Sequence, residues 1–235
     1  MKFTVLYNNI PLKSGFQTGW GFSCLVQGLE KTILFDTGGN GGILHANMRT
    51  SDVDPAIVDL VVLSHNHGDH AGGLGWFLKE NPRVTVYTPT SFSRGFQEAV
   101  NQMGAKPVSV SAPGEIVEGV FTTGDMGGGI IEQALILEST MGLVLITGCA
   151  HPGIVQIAEK TIQLRNQGIY LVVGGFHLMG YGERDLRAIA ERLKEMGVKR
   201  IAPSHCTGDL AMAVFKGEWK AAFLDGGCGA VITVP

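Results

Sequence analysis

An α/β fold is the expectation for this chain of 235 residues, and three observations carry it. Short apolar runs of strand length alternate with longer stretches whose apolar residues recur at helical spacing. Glycine is abundant, at 34 residues, and supplies the tight turns at strand ends where α/β proteins build their sites. The chain also echoes itself. Ser64-His65-Asn66-His67-Gly68-Asp69 and Ser204-His205-Cys206-Thr207-Gly208-Asp209 share Ser, His, Gly and Asp at identical offsets, and Leu34-Phe35-Asp36-Thr37-Gly38 compares with Val144-Leu145-Ile146-Thr147-Gly148. Such pairs suit an architecture of two halves that form one domain over residues 1–235, since no linker or low-complexity segment divides them.

The elements follow by period. Lys2–Tyr7, Phe22–Gln27 and Lys31–Asp36 read as short strands and Ile57–Leu63 as a buried one. Gly73–Lys79 reads as a helix, Val84–Tyr87 as a strand, and Ser91–Met103 as a helix capped by Ser91 or Ser93. Between them, Gly38 to Asn47 reads as a Gly-rich mobile loop at the mouth of a site, with His45 given no role. Pro107–Val110, Glu115–Thr122, Gly129–Glu138 and Leu143–Thr147 form a run of strands. The Gly153–Asn166 helix carries Ile154, Ile157, Ala158 and Ile162 on one stripe, preceded by Pro152. Strand Ile169–Val173 comes next. A helix from Glu183 to Met196 carries Leu186, Ile189, Ala190, Leu193 and Met196 and stops at Gly197, and Arg200–Ala202 is the last strand read. Both apolar stripes are core.

Composition narrows the function classes. Apolar residues make up 45% of the chain, ample for a packed core without disulfides. The formal net charge is −3 and the 18 basic residues are scattered, which argues against a nucleic-acid partner. No apolar stretch reaches the ~18 residues of a membrane span and the start has no signal-peptide pattern, so no membrane partner and a cytoplasmic location are expected. The four cysteines, Cys24, Cys149, Cys206 and Cys228, read as reduced thiols. Cys149 and Cys206 lie within two residues of metal-capable histidines. Burial, metal ligation, support of a ligand and oxidation all remain open for them.

The chemistry concentrates after Leu63. His65, His67, Asp69 and His70 put three imidazoles and a carboxylate into six residues, and such nitrogens and oxygens are the usual ligands of zinc, iron and manganese. Alternate residues of an extended segment point the same way, so His65 and His67 can converge on one ion. Asp69 and His70, where the chain turns, can face a second. His151, His177 and His205 each follow a strand-like run and are the remaining candidate donors. No phosphate-binding loop, dinucleotide fingerprint or serine elbow competes with this reading.

The block His65-x-His67-x-Asp69-His70-x-Gly72-Gly73-Leu74, with Ile33-Leu34-Phe35-Asp36-Thr37-Gly38 before it, resembles the metallo-β-lactamase superfamily. Thr4 to Asn9, Thr147 to Val155, Gly174-Gly175-Phe176-His177-Leu178 and Ser204 to Gly208 resemble the branch that includes the dihydropterin-ribofuranosylaminobenzene 5′-phosphate synthases. The resemblance implies a four-layer αβ/βα sandwich, two mixed sheets flanked by helices, with the site at their shared edge. It places His65, His67 and His151 on one metal and Asp69, His70 and His205 on another, for two divalent ions (Zn, Mn or Fe). Two cations about 3.5–4 Å apart would hold a water or hydroxide as nucleophile, and Asp69 would be both ligand and proton acceptor.

The chain departs from that pattern at one place. Most dinuclear members have a bridging Asp between the third and last histidine motifs, whereas here His177 stands there and Asp185, the only Asp of that interval, falls inside a helix. His177 therefore ligates the second metal alone, contacts substrate, or leaves the second site weak. Asp36 is expected to orient a ligand histidine from behind, or else to cap the Gly38 turn. The function expected is a metal-dependent hydrolase of a small molecule. The alternatives are a transferase that displaces pyrophosphate from a pterin diphosphate with an arylamine, and a non-catalytic metal-binding module. Phosphorylated or pterin-like compounds are the candidate substrates, and homo-oligomerisation is left open.

Overall fold

The computed structural model describes residues 1–235, and two sheets organise it. The first holds β1 (Lys2–Asn8), β2 (Phe22–Gln27), β3 (Ile33–Phe35), β4 (Leu60–Val62), β5 (Thr85–Pro89) and β6 (Lys106–Val110) side by side in chain order, with the last strand of the chain, Val231–Thr233, paired outside β1. The second, in spatial order, consists of Arg200–Ser204, Ile169–Gly175, Gly142–Thr147, Leu135–Ser139, Val120–Thr122 and Gly114–Val117. In chain order these six are β7 (Gly114–Val117), β8 (Val120–Thr122), β9 (Leu135–Ser139), β10 (Gly142–Thr147), β11 (Ile169–Gly175) and β12 (Arg200–Ser204), and the Val231–Thr233 strand of the first sheet is β13.

Three apolar clusters define the layers. Phe3, Val5, Phe22, Phe35 and Val62 of the first sheet meet Leu137, Val144, Ile146, Leu171 and Val173 of the second, so the sheets pack face to face. On the outside of the first sheet, Leu25, Leu34 and Val61 pack against α1 (Gly41–Thr50), the single turn α2 (Gly68–Ala71), α3 (Leu74–Glu80) and α4 (Arg94–Gln102) through Leu44, Met48, Ala71, Phe77 and Val100. On the outside of the second, Leu143, Leu145 and Val172 pack against α5 (Ile154–Arg165), α6 (Glu183–Glu195) and α7 (Asp209–Trp219) through Ile157, Leu186, Leu193 and Phe215. The result is the expected αβ/βα sandwich, with two mixed sheets. No helix is long and apolar enough to cross a membrane.

The site depends on strand direction. β3 and β4 run parallel, as do β10, β11 and β12, so five strand ends open toward one edge, where α/β proteins carry their ligand sites. A bulge between Val5 and Tyr7 changes the phase of β1. Val5 faces the inner core and Leu6 and Tyr7 the outer one. Asn8 then donates to Ser204 Oγ at 3.0 Å and Gly226 O at 3.2 Å, tying the first sheet to the end of β12.

Several expectations change. Gly38 to Asn47 is no mobile loop: Asn40 Oδ1 accepts from Gly42 and Ile43 N–H and starts α1, whose Leu44, Asn47 and Met48 are buried. Burial of one face outweighs the poor helix propensity of Gly41 and Gly42. His45 stacks on Trp76 with ring centroids 4.8 Å apart. The Glu115–Thr122 run folds back as the β7–β8 hairpin around Gly119, whose φ is +72°. Only the second half of Gly129–Glu138 is strand, because Glu132 and Gln133 turn to the first sheet, where Gln133 N–H donates to Ser64 O at 2.9 Å. Neither α7 nor β13 is among the elements read from the periodicity.

Asn47 ties α1 to the segment that carries the rim of the site. Its Nδ2 donates to Leu6 O at 2.8 Å and Gln17 O at 2.7 Å, and its Oδ1 accepts from Gln17 N–H at 2.8 Å. Asn47→Ala strands these groups, and since an unsatisfied buried polar group costs about 1–3 kcal/mol, a loss of roughly 2–4 kcal/mol is expected in a urea titration.

Candidate metal centre at the shared strand edge

Every strand end at this edge delivers a polar side chain. Asp36 follows β3, Ser64 and His65 follow β4, Cys149 and His151 follow β10, His177 follows β11 and His205 follows β12. Asp36, Ala150, His177 and His205 all hold left-handed backbone, with φ between 51° and 59°. Strain of this kind costs on the order of 1–3 kcal/mol per residue and gathers where function over-determines the backbone. Past each strand the kink turns the chain sharply, so that side chains from both sheets meet.

They form two adjoining groups. In one, His65 Nε2 lies 3.0 Å from His67 Nδ1, and the His151 ring stands 4.8 Å from His65 and 5.1 Å from His67 between centroids. In the other, His70 Nε2 lies 3.2 Å from His205 Nε2, and Asp69 Oδ2 is 3.5 Å and 3.3 Å from those same nitrogens. His177 is set apart from Asp69, His70 and His205. It is exposed, its ring lies 4.3 Å from that of His151, and one of its ring nitrogens lies within 4.8 Å of the sulfurs of Cys149 and Cys206. Asp185 is exposed at the start of α6, away from the cluster.

Hydrogen bonds behind the rings fix their tautomers. Asp36, fully buried, accepts from Ser64 N–H at 2.7 Å, from Ser64 Oγ–H at 2.7 Å and from His70 Nδ1 at 2.7 Å. With its hydroxyl proton committed to Asp36, Ser64 Oγ accepts from His65 Nδ1 at 2.9 Å. Asn9 Nδ2 donates to His205 O at 3.3 Å, which leaves Oδ1 to accept from His205 Nδ1 at 2.8 Å. In the neutral rings of His65, His70 and His205, the Nε2 lone pairs therefore all point into the cluster.

A divalent cation fits that arrangement. Two lone pairs facing each other at 3.2 Å repel unless a positive charge lies against them, and the buried Nε2 of His151 has no hydrogen-bond partner at all. Burial and the neighbouring imidazoles push His65 far below the ordinary histidine range. The same causes, burial first and then His177, His67 and His70, bring His151 down to about 4. Both stay neutral, the form that binds metal. Burial opposes charge on His70, but the charge and hydrogen bond of Asp36, with Asp69 behind them, raise it to about 10, so without a cation a proton holds this place. Burial likewise opposes charge on Asp69, yet the Nε2 sides of His205 and His70, which donate to it when those rings are protonated, keep it well below the usual carboxylate range. The residues that would hold cations are His65, His67 and His151 on one side and Asp69, His70 and His205 on the other.

Glu132 is a supporting residue that the motifs do not reveal. Nearly inaccessible to solvent, its carboxyl accepts from Cys149 N–H at 3.0 Å, Ala150 N–H at 2.9 Å and His151 N–H at 2.8 Å. Burial raises its pKa and these three donors lower it, with burial the larger. The only sequence signal is an acidic residue inside a strand-like apolar run, which alternation permits on any solvated face. A second unheralded feature is the cavity beside His151 and His177. It measures about 490 Å³ and is lined by Ile154, Phe176, Leu178 and Ile189, with Tyr181 and Arg192 toward solvent.

A four-layer sandwich with histidine and aspartate clusters at the common strand edge defines a class of metal-dependent enzymes. Residues 21–205 match the model of the metallo-β-lactamase superfamily, and the chain belongs to that superfamily. It is 28% identical to the 7,8-dihydropterin-6-methyl-4-(β-D-ribofuranosyl)-aminobenzene-5′-phosphate synthase of Methanocaldococcus jannaschii, over 94% of this chain and 92% of that one. Among solved structures it is similar to Tm1679, a metal-dependent hydrolase of the β-lactamase superfamily, with a TM-score of 0.81, 28% identity and coverage of 100% and 99%. Human tRNase Z, short form, shares the fold at a TM-score of 0.69 and 12% identity, with both chains covered completely.

Residues that orient metal ligands typically account for 10–100-fold in affinity. Asp36→Asn and Glu132→Gln are each expected to weaken zinc binding by about that factor while the far-ultraviolet circular dichroism stays unchanged. Competition with a chromophoric chelator measures the affinity.

Proposed function

We propose that this protein is a metal-dependent hydrolase of a small molecule, with two divalent cations at the paired clusters. The observation that carries the reading is the convergence of imidazole Nε2 atoms on one spot, with an ionised Asp69 beside them, the Nε2 of His151 left without a partner, and no Lys or Arg among them. Divalent cations supply Lewis acidity there and bring the pKa of water toward neutrality. The remaining steps fall to the chain. Asp69, part-exposed and ionised, is placed to accept a hydrogen bond from an attacking water and fix its direction. Asp36 and Asn9 hold His70 and His205 in one tautomer through the reaction.

The cavity next to His151 and His177 is of the size that holds small ligands, roughly 300–1,000 Å³. Its apolar wall of Phe176, Leu178 and Ile189 suits the body of a substrate and excludes water from one side of it. His177, at the cavity mouth and apart from the Asp69 group, is assigned to substrate contact. Similarity to the synthase supports a second reading, in which the same residues stabilise a departing diphosphate during transfer to an arylamine. Zinc, manganese and iron are the candidate metals.

Protein purified without chelators is expected to carry two equivalents of metal, and His151→Ala and Asp69→Ala fewer. With a panel of phosphodiesters, lactones, thioesters and β-lactams, turnover by the parent and a fall of about 10²-fold or more in Asp69→Ala supports hydrolysis. Silence on the panel with pyrophosphate released from a pterin diphosphate supports transfer. Metal retained without turnover on any of them overturns both.

A further inference from the structure

One donor is common to both clusters, and it is a thiol. The Sγ of Cys149 lies with the donor atoms of Asp69, His70 and His205, all within 4.8 Å of one another, and equally with those of His65 and His151. It is 3.2 Å from His70 Nε2, the lone-pair side of that ring, and Cys149 is buried. No carboxylate takes this central place. Asp69 belongs to one cluster, Asp36 stands behind the rings, and Glu132 faces the backbone of residues 149–151. We propose that Cys149, as a thiolate, is the protein ligand shared by the two cations, filling the gap left where His177 stands in place of a bridging aspartate. The proposal rests on the reading that the clusters hold cations.

The local backbone supports it. Ala150 is left-handed, with φ at 59°, so the residues on either side of it, Cys149 and His151, both turn toward the cluster. Glu132 fixes that turn through three consecutive N–H groups. Gly148 allows the close approach, since a Cβ there would collide with Ser64 Oγ. The chemistry agrees as well: the thiolate, with three lone pairs on sulfur, can serve two metals, as an imidazole nitrogen with one cannot. On binding, the S–H bond of Cys149 gives its proton to solvent and the sulfur pair goes to the metal, a release of one proton. Thiolate ligation also favours zinc, iron or cobalt over manganese and magnesium.

Cys206 is the competing sulfur. It is buried, Cys149 and His177 are its neighbours, and its Sγ–H points to Cys149 O at 3.7 Å. It belongs to neither histidine cluster. The two thiols therefore give opposite expectations, and the test compares them.

Apo protein is titrated with Co(II) and followed by near-ultraviolet absorption, where thiolate-to-cobalt charge transfer appears, and by X-ray absorption at the cobalt edge. The parent and Cys206→Ala are expected to show the charge-transfer band and a sulfur scatterer. Cys149→Ser is expected to lose both and to bind Co(II) more weakly by on the order of 10²-fold. If the parent takes up two equivalents without the band and without sulfur, the inference falls while the proposed function stands. If no Co(II) binds, both fall. A band kept in Cys149→Ser and lost in Cys206→Ala also overturns it. Sulfur at the cobalt edge of Cys206→Ala, where Cys149 is the only thiol near the clusters, decides the matter even if Cys149→Ser does not fold.

Discussion

The fully buried carboxyl of Asp36 is the constraint on which the rest of the centre depends. Placing it between the sheets carries a desolvation cost, offset only because three donors reach it. Those donors are also what it controls. One is the ring of His70; two belong to Ser64, which passes the constraint on to His65. A single group therefore sets the proton positions of a histidine in each cluster. It sits at the end of β3, beside the parallel β4, so its height relative to His65 is fixed by backbone ladder bonds and not by a flexible side chain.

The second sheet solves the same problem differently. Its donors arrive one strand at a time, from the ends of β10, β11 and β12, and each arrival involves a left-handed residue that is not glycine. Local preference is overridden at these points by hydrogen bonds that cross between segments, such as Glu132 to the 149–151 turn and Asn9 to His205. These links hold the turns in place independently of any occupant. The cluster is thus built by convergence of rigid elements, with the cavity formed where α5, the end of β11 and α6 diverge from it.

Much of this was legible in the amino-acid order. The strand runs around Leu34, Val61, Ile146 and Val172 alternate or stay apolar as buried strands must, and the compact His65 to His70 motif carries its own chemistry. The position of Asp36 after a strand suggested a supporting role, and the structure puts it against His70. What could not be read depends on neighbours distant in sequence. The helix Gly41–Thr50 is hidden by glycines and depends on burial of Leu44 and Met48 against the sheet. Glu132 looks like any polar residue until the 149–151 turn folds over it. The separation of His177 from Asp69 follows from the kink after β11, for which Gly174-Gly175 gives no direction.

The polar links between Asn8 and Ser204 and between Asn9 and His205 span the seam where one sheet meets the other. Reactivity here is consequently a property of how the two halves of the sandwich are aligned. A small sliding of one half against the other, too slight to register as unfolding, would misalign donors that belong to different halves. Side chains such as Phe3 and Val144, deep in the interface and remote from any substrate, thus act as shims that keep the chemistry in focus.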